Sequence, residues 1–322
     1  MKGTNLFWPV YKNMENEFLN IIDYIYCNDE QLEVYSVKIS DLIVRCVMEI
    51  EAISKQLYRD FPNSELPEGY DKKAEKDGDY PKFDRECLSL LCRVWMLEKK
   101  RIVVSSYKCH FRKNENKIFA PLKNAGKGGK NSALWNSAYQ AIKHDRVSSF
   151  KKGTLKSLIR ALGALYILNL YYSDEEILMG ESETSFDASL GSNLFSVTYY
   201  DATNIDVIRE TVKEPQYSTP FNESVYILKV GNDSLVKDLI EAFNLDNQDS
   251  IDQIMQSENV RKYILEHIES KDIEVDALPD ISGIPIEKRF LANRLIKVYR
   301  KFFYSAVVNK HKKIYPGIID NG

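Results

Sequence analysis

The strongest constraint on the fold is a nearly continuous apolar stretch at residues 154–172. Eight large aliphatic side chains fall within it: Leu155, Leu158, Ile159, Leu162, Leu165, Ile167, Leu168 and Leu170. Thr154 suits a helix N-cap, because its hydroxyl can accept a hydrogen bond from the backbone of the first turn. A helix that is apolar around most of its circumference must be buried. We therefore predict a central core helix against which the other helices pack.

Apolar residues spaced three and four apart predict further helices upstream of this core helix. Such patterns occur at residues 12–28, 31–61 and 83–98. The second helix is the longest, and Ser36 or Ser40 is suitable to cap it. Residues 101–104 fit either an extension of the third helix or a short strand. Together these patterns predict an antiparallel helical bundle over residues 12–175.

The pattern changes beyond residue 183. Two β-branched and aromatic runs, residues 194–200 and 224–230, predict a small antiparallel sheet. Other predicted elements are helices at residues 232–244, 251–269 and 285–313 and a short strand at residues 273–275. The expected fold class is therefore mainly α. A helical domain of residues 1–182 is followed by a small α+β domain of residues 183–322 that contains a long C-terminal helix.

Positive charge is concentrated in one segment. Residues 99–160 contain sixteen Lys and Arg residues and two acidic residues, a net +14, although the whole chain carries −3. Such asymmetry favours contact with a polyanion such as RNA. The alternative is that the segment docks on an acidic partner chain or on the acidic remainder of its own chain.

A glycine-rich loop lies inside this basic segment, at residues 123–132. It lacks the GxxxxGK[ST] spacing of a nucleotide-binding P-loop. It precedes the start of the next predicted helix, where anions are favoured. We predict that Lys123, Lys127 and Lys130 bind phosphate groups of the substrate, the alternative being a disordered basic loop.

The helix predicted after this loop carries the most chemically suggestive side chains. Asn136, Tyr139, Lys143 and Arg146 follow one another at steps of three or four and share one face. His144 lies at the border of that face. The expected core-facing residues are Leu134, Ala138, Ala141 and Ile142.

The string formed by Trp135, Asn136, Tyr139 and the run 143–146 resembles the KHxR-type signature of bacterial HEPN-like helical proteins. Residues 35–43 are similar to the first long helix of such proteins, and residues 158–166 to their last helix. The resemblance covers about residues 1–175. It implies a HEPN-like bundle with metal-independent ribonuclease activity, plausibly in a bacterial defence or stress system as an RNA-processing or toxin-type enzyme.

Metal-independent RNA cleavage needs acid–base groups and a cation on the phosphate. His144 suits proton transfer because its reference pKa is near neutrality, and Arg146 suits the phosphate because its planar group bonds two oxygens. Lys143 would assist, while Asn136 and Tyr139 would orient the substrate. Since no second histidine lies nearby in the sequence, a homodimer that pairs two such helices is the expected way to assemble a site.

A structural role is the alternative for the Lys143–Arg146 cluster. Lys143 or Arg146 would then pair with Glu49 or Glu51 and hold two helices together. HEPN ribonucleases carry an arginine a few residues before the histidine, whereas residues 137–140 here are Ser, Ala, Tyr and Gln. This difference favours a non-catalytic RNA- or nucleotide-binding protein, or a scaffold, on the same fold. A third possibility is a protein partner bound through residues 183–322.

The remaining features define the class of protein. Five cysteines occur without a CxxC pair, and Cys109-His110 lacks a second Cys/His pair, so we expect no metal site and no cofactor. No apolar run has the length of a membrane span, and the first residues lack the apolar core of a signal peptide. We expect a cytoplasmic protein that does not bind membranes.

Overall fold

The computed structural model describes residues 5–72, 80–180, 184–203, 205–206, 211–212, 218–230 and 304–312. These residues form a mixed α and β structure rather than a purely helical bundle. Their α-helices are α1 (Phe7–Ile21), α2 (Val37–Asp60), α3 (Ser89–Trp95), α4 (Asn114–Lys117), α5 (Leu134–His144), α6 (Arg146–Ser149) and α7 (Leu155–Ser173). No helix in these ranges combines the length and apolarity needed to cross a bilayer.

Short strands connect and flank the helices. They are β1 (Cys27–Asn28), β2 (Ile102–Val104), β3 (Cys109–His110), β4 (Ile118–Phe119), β5 (Ile177–Gly180), β6 (Phe195–Val197), β7 (Tyr199–Asp201), β8 (Ile205–Asp206), β9 (Thr211–Val212), β10 (Tyr226–Val230) and β11 (Tyr304–Val308). Strands β4, β2 and β6 form one sheet in that order, and β5, β11, β10 and β7 form another. Two pairs, β1 with β3 and β8 with β9, complete the strand pairing.

Helix α7 is the central core helix that the sequence predicts. Most of its side chains are buried, and the Thr154 hydroxyl accepts a hydrogen bond from the Ser157 amide at 3.3 Å. Gly163 allows α7 to approach the sheet closely, because a Cβ there would lie 2.7 Å from Cδ1 of Ile102. Alanine at this position would require the Ile102 side chain to shift.

Helices α2 and α7 form a central pair that runs in the same direction. They start together, because Tyr35 and Thr154, which precede them, form a β-bridge. They end together around Trp95, whose ring lies 5.6 Å from Phe61 and 5.3 Å from Tyr171. Ser36 caps α2 by accepting a hydrogen bond from the Ile39 amide at 3.2 Å, as one of the two predicted caps.

Helix α1 runs antiparallel to this pair. Its first residue, Phe7, packs edge-on against Tyr172 at the end of α7, and Glu17 near its other end pairs with Arg45 of α2. The aromatic residues near the N-terminus thus lie inside α1, and α1 ends at Ile21 rather than at residue 28. Helix α5 also runs antiparallel to α2, since Arg146 directly after it contacts Asp41 near the start of α2. The antiparallel arrangement therefore holds for α1 and α5 but not within the central pair.

The predicted third helix is interrupted. It begins with a π-helical stretch over Phe83–Leu88, continues as α3 and stops at Met96, whose φ of 52° is left-handed. An L-residue in that conformation cannot continue a right-handed helix. The chain then enters β2, so residues 102–104 form a strand rather than an extension of the helix.

The sheet predicted from residues 194–200 and 224–230 differs from the one observed. Strand β7 pairs with β10 in parallel, not antiparallel, register, whereas β6 pairs with β2 in the other sheet. Thr198 lies between the two strands, and its hydroxyl donates toward the carbonyls of Arg101 at 2.7 Å and Glu223 at 3.1 Å. These bonds fix the point where the chain passes from one sheet to the other.

The sequence predicts a C-terminal helix at residues 285–313, of which the structure describes residues 304–312. These described residues are not helical. Residues Tyr304–Val308 instead form β11, which pairs antiparallel with both β10 and β5. An aromatic and β-branched run suits a buried strand better than a helix. The elements predicted at residues 232–244, 251–269 and 273–275 lie outside the described residues.

Both larger sheets join strands from the two sides of residue 182. The division of the chain into two domains at that residue stays a prediction.

Candidate functional site

Helix α5 buries a wider face than the predicted one: Ala138 and Ile142 are buried as predicted, at 4% exposure each, but residues predicted on the polar face are buried as well. Trp135, Asn136 and Tyr139 are 0%, 2% and 7% exposed, whereas Leu134, predicted to face the core, is 45% exposed. The indole of Trp135 donates a 2.9 Å hydrogen bond to the Pro121 carbonyl, which draws this side of α5 inward. Asn136 and Tyr139 are therefore packing residues and cannot contact a substrate as predicted.

The Lys143–Arg146 cluster lies exposed at the C-terminal end of α5. Asp145 ends α5 and caps α6, accepting hydrogen bonds from the amide and the hydroxyl of Ser148 at 3.1 and 2.5 Å. These bonds hold the pKa of Asp145 below its usual value. Lys143 and His144 occupy the last turn of α5, where positive charge is favourable toward the helix dipole.

The partners of this cluster differ from the predicted carboxylates. Arg146 pairs with Asp41 at 2.5 Å, and Lys143 Nζ lies 5.5 Å from the ring centre of Tyr139. Among the described residues His144 has no hydrogen-bond or ion-pair partner. Its side chain is therefore open to solvent and to a ligand.

Glu49 and Glu51 lie too far along α2 to reach this end of α5. Glu49 follows Asp41 by eight residues, which is about 12 Å along a helix axis. Glu51 pairs with Lys55 at 2.7 Å. Glu49 is half-buried, and its burial raises the pKa of its carboxyl group.

The predicted phosphate-binding loop is anchored rather than loose. Lys123 and Lys127 are exposed, but Leu122 and Ala125 between them are fully buried. A Cβ at Gly128 would lie 2.3 Å from the guanidinium Nε of Arg85, so the loop backbone packs directly against that side chain. The side chain of Lys130 lies outside the described residues.

The loop and the cluster sit at opposite ends of α5. The Trp135–Pro121 hydrogen bond holds the loop near the start of the helix, and His144 is its last residue. Eleven helical residues separate the two ends by about 15 Å. The structure therefore does not bring the predicted phosphate-binding lysines together with the predicted catalytic residues.

The chain segment between α1 and α2, residues 22–36, instead gathers the basic residues. Its Asp29 carboxylate accepts hydrogen bonds from the amides of Arg112 and Lys113 at 2.8 and 3.2 Å and from the Asn116 side chain at 2.7 Å. These bonds, led by that from Asn116, lower the pKa of Asp29. Asp29 is thereby occupied in holding the start of α4.

The same segment also binds the start of α7. The carbonyls of Val34 and Leu32 accept hydrogen bonds from the amides of Leu155 and Lys156 at 2.8 and 2.9 Å. Tyr35 packs edge-on against Phe150, with 5.6 Å between ring centres. Residues far apart in the sequence, around 112–117 and 150–156, thus line one segment.

We call the resulting surface the basic band. It comprises the exposed cations of the two regions that contact the 22–36 segment and of the end of α5, which is nearby in the sequence: Arg112, Lys113, Lys117, Lys151, Lys152, Arg146 and Lys143. Within the described residues, only Arg146 of this set forms an ion pair. The band was not predicted as a unit, because the sequence shows a basic segment but not which of its parts the 22–36 segment draws together.

Not every positive charge of the 99–160 segment reaches the surface. Lys100 is fully buried, and burial lowers the pKa of its amine to about 7. Arg160 lies with its guanidinium carbon 4.7 Å from the ring centre of Phe119, and burial lowers its pKa too. The net +14 of the segment therefore overstates the charge available to a ligand.

The cysteines are free thiols. Cys27 and Cys109 face each other across the β1–β3 pair with their sulfur atoms 3.4 Å apart. In the part of the chain that the structure describes, no three His, Cys, Asp or Glu side chains cluster as metal ligands.

No protein-family model, curated protein or solved structure matches this chain. The resemblance to HEPN-like proteins in residues 1–175 therefore rests on the residues themselves and stays a prediction.

Proposed function

We propose that this protein binds RNA through the basic band. The observation that supports this is the 22–36 segment, whose contacts hold two cation-bearing regions, residues 112–117 and 150–156, against one stretch of chain. Apart from Arg146, the exposed Lys and Arg of the band have no ion pair within the described residues, so they are available to neutralise phosphates, and release of the displaced counterions favours binding. RNA remains the ligand class that the charge pattern of the 99–160 segment favours.

A salt titration with matched variants tests this proposal. Replacing Lys113, Lys117, Lys151 and Lys152 with alanine should weaken RNA binding and flatten its dependence on salt. Each lost phosphate contact should reduce the slope of log K against log salt by about 0.7 for a single strand. Fluorescence anisotropy with a labelled oligonucleotide measures both quantities.

The loop at the other end of α5 provides the control. Replacing Lys123 and Lys127 with alanine removes exposed lysines outside the band and should change affinity much less. If the loop variant loses more affinity than the band variant, the originally predicted loop is the contact and the band is not. If the wild-type protein binds no RNA, the proposed function is wrong.

A ribonuclease is the second candidate, supported by the exposure of His144 beside Lys143 and Arg146. His144 is the only histidine of the cluster, and the adjacent Asp145 carboxylate is engaged in capping α6. Cleavage would therefore require two α5 ends to meet in a homodimer. Such a dimer would place one histidine for proton transfer at the 2′-hydroxyl and the other at the leaving 5′-oxygen.

Metal-free cleavage assays distinguish the two candidates. A ribonuclease should cleave RNA in the presence of a chelator, at a rate that rises with dimer concentration, and His144→Ala should abolish cleavage. Because His144 is exposed, the same substitution should leave thermal unfolding nearly unchanged. Binding without cleavage would leave RNA binding as the function.

A further inference from the structure

Three highly exposed tyrosines lie together at one end of the basic band. Tyr24, Tyr26 and Tyr107 are 92%, 64% and 84% exposed. Single exposed apolar residues are common on protein surfaces, but neighbouring large ones indicate a contact surface. With His110 they form what we call the tyrosine platform.

The platform is built by two chain segments that run side by side. Asp23 pairs with Lys108, Cys27 lies opposite Cys109, and Asn28 lies opposite His110, in parallel register. Tyr24 and Tyr26 therefore lie on the segment next to the one that carries Tyr107 and His110. Asp29 then holds the amides of Arg112 and Lys113 directly beyond the platform.

One ring pair of the platform is already arranged for stacking. The rings of Tyr26 and His110 lie 4.9 Å apart at 17° to one another, and both residues are exposed. A pair of parallel rings presents flat outer faces on which another planar ring can stack. Tyr24 and Tyr107 add further rings on the same two segments.

We infer that the tyrosine platform stacks the unpaired bases of single-stranded RNA, an inference that rests on the proposed RNA binding by the basic band. Aromatic rings beside unpaired cations are the features by which proteins bind single strands, since every base has a flat face and every nucleotide a phosphate. In a duplex the bases are already stacked inside the helix. The platform therefore selects single-stranded over double-stranded RNA.

Charge complementarity favours this ligand over an apolar protein partner. The exposed side chains that follow the platform include Arg112 and Lys113, which have no ion pair within the described residues. Hydrophobic protein interfaces are instead depleted of charge at their centres. A phosphate backbone satisfies these cations while its bases occupy the rings.

Binding of a short oligouridylate and of an RNA duplex of equal length tests the inference. Tyr24→Ala, Tyr26→Ala and Tyr107→Ala, each made separately, should weaken binding to the oligouridylate by at least about fivefold. Binding to the duplex should change less than twofold. Tyr26→Phe keeps the ring and should retain wild-type affinity, which separates stacking from hydrogen bonding by the hydroxyl group.

Three controls accompany these variants. Tyr80→Ala removes another exposed tyrosine, located before α3, and should leave both affinities unchanged. Thermal unfolding should be unchanged in all variants, because the rings are exposed. The band variant that lacks four lysines should weaken binding to both RNAs, unlike the platform variants.

Each remaining outcome overturns the inference. If the platform variants bind the oligouridylate like the wild type while the band variant does not, stacking is wrong and RNA binding stands. Equal loss on single strand and duplex would mean that the tyrosines support backbone contacts only. If the wild-type protein binds neither RNA, the inference and the proposed function both fail, and the platform is a contact for another class of partner.

Discussion

Of the charged side chains that the structure describes, Glu15 and Lys100 are completely buried, and their surroundings are opposite. Glu15 Oε1 accepts hydrogen bonds from the Tyr11 hydroxyl at 2.8 Å and from the amides of Asn193 and Leu194 at 3.0 and 3.1 Å. Lys100 Nζ has no hydrogen-bond partner among the described residues. A buried charge is costly unless protein groups replace the water that it loses. Burial therefore has opposite consequences for stability at these two sites.

The partners of Glu15 also explain how α1 holds the chain before β6. The Ser192 hydroxyl donates to the same carboxylate, and Lys12 pairs with it and donates to the Gly191 carbonyl at 2.7 Å. One carboxylate thus binds α1 to a loop about 180 residues later in the sequence. Lys100 joins no such network and lies between the turn after α3 and strand β2.

Glu15→Gln should produce the largest loss of stability. The substitution keeps the size of the side chain but removes the charge, and it leaves the amine of Lys12 next to an amide. Breaking a fully buried ion pair costs about 3–5 kcal/mol, and this is an upper bound here because the Lys12 side chain is 24% exposed. Urea unfolding should therefore show a decrease of that order in the free energy of unfolding.

Glu17→Gln is the matched control, on the same helix. Glu17 pairs with Arg45, but both side chains are partly exposed, so the loss should be below about 1 kcal/mol. Equal losses of stability from the two variants would show that the buried network around Glu15 contributes no more than the exposed pair of Glu17 and Arg45.

Lys100→Met should increase stability, whereas Glu15→Gln should decrease it. Methionine has a similar volume and needs no hydrogen bond, so the variant should be more stable at neutral pH by about 1–3 kcal/mol, the usual cost of a buried polar group without a partner. Lys99→Met, at an exposed neighbour, should change stability by less than about 0.5 kcal/mol. A destabilised Lys100→Met protein would mean that the amine has a partner that stabilises its charge.

The same lysine predicts how stability depends on pH. Burial lowers the pKa of Lys100 from about 10.4 in the unfolded chain to about 7 in the folded protein. Between these values the unfolded chain binds more protons, so stability increases as the pH rises, by at most about 1.4 kcal/mol per unit. The advantage of Lys100→Met should be constant below pH 7 and should shrink toward pH 10.

Unfolding measurements on both proteins across this range isolate the effect, because other titrating groups contribute equally to each. A difference that stays constant with pH would show that Lys100 titrates normally in the folded protein.

The buried network of Glu15 also illustrates what the sequence could not predict. Helices α2 and α7 follow from apolar periodicity and from the caps Ser36 and Thr154, which are local features. The ligands of Glu15, like the inward turn of Trp135 toward Pro121, lie far away along the chain. Asn136 and Tyr139 were misplaced for the same reason, because side chains with both polar and apolar parts follow whatever surface packs against them.

In the candidate site, too, some features follow from residue types and others depend on how the helices pack. The charge of residues 99–160 and the exposure of His144 could be predicted from residue types. That α5 separates the Gly-rich loop from the Lys143–Arg146 cluster could not, because the separation depends on the direction in which α5 packs on α2. The tyrosine platform escaped prediction because residues 22–28 fitted the first helix, whereas α1 ends at Ile21.

The smallest expected change in stability concerns the exposed pair of Arg146 and Asp41. Both side chains are more than half exposed, so their Coulomb attraction is screened by water, and Arg146→Ala should cost less than about 1 kcal/mol. Its effect on RNA binding should be larger, because the guanidinium belongs to the basic band. Asp41→Asn provides the complementary test, since it breaks the pair but frees Arg146 for phosphate and should leave RNA binding unchanged or stronger. If instead both substitutions destabilise the protein strongly and weaken binding equally, the pair positions α5 on α2, and Arg146 acts through the fold rather than by contact with RNA.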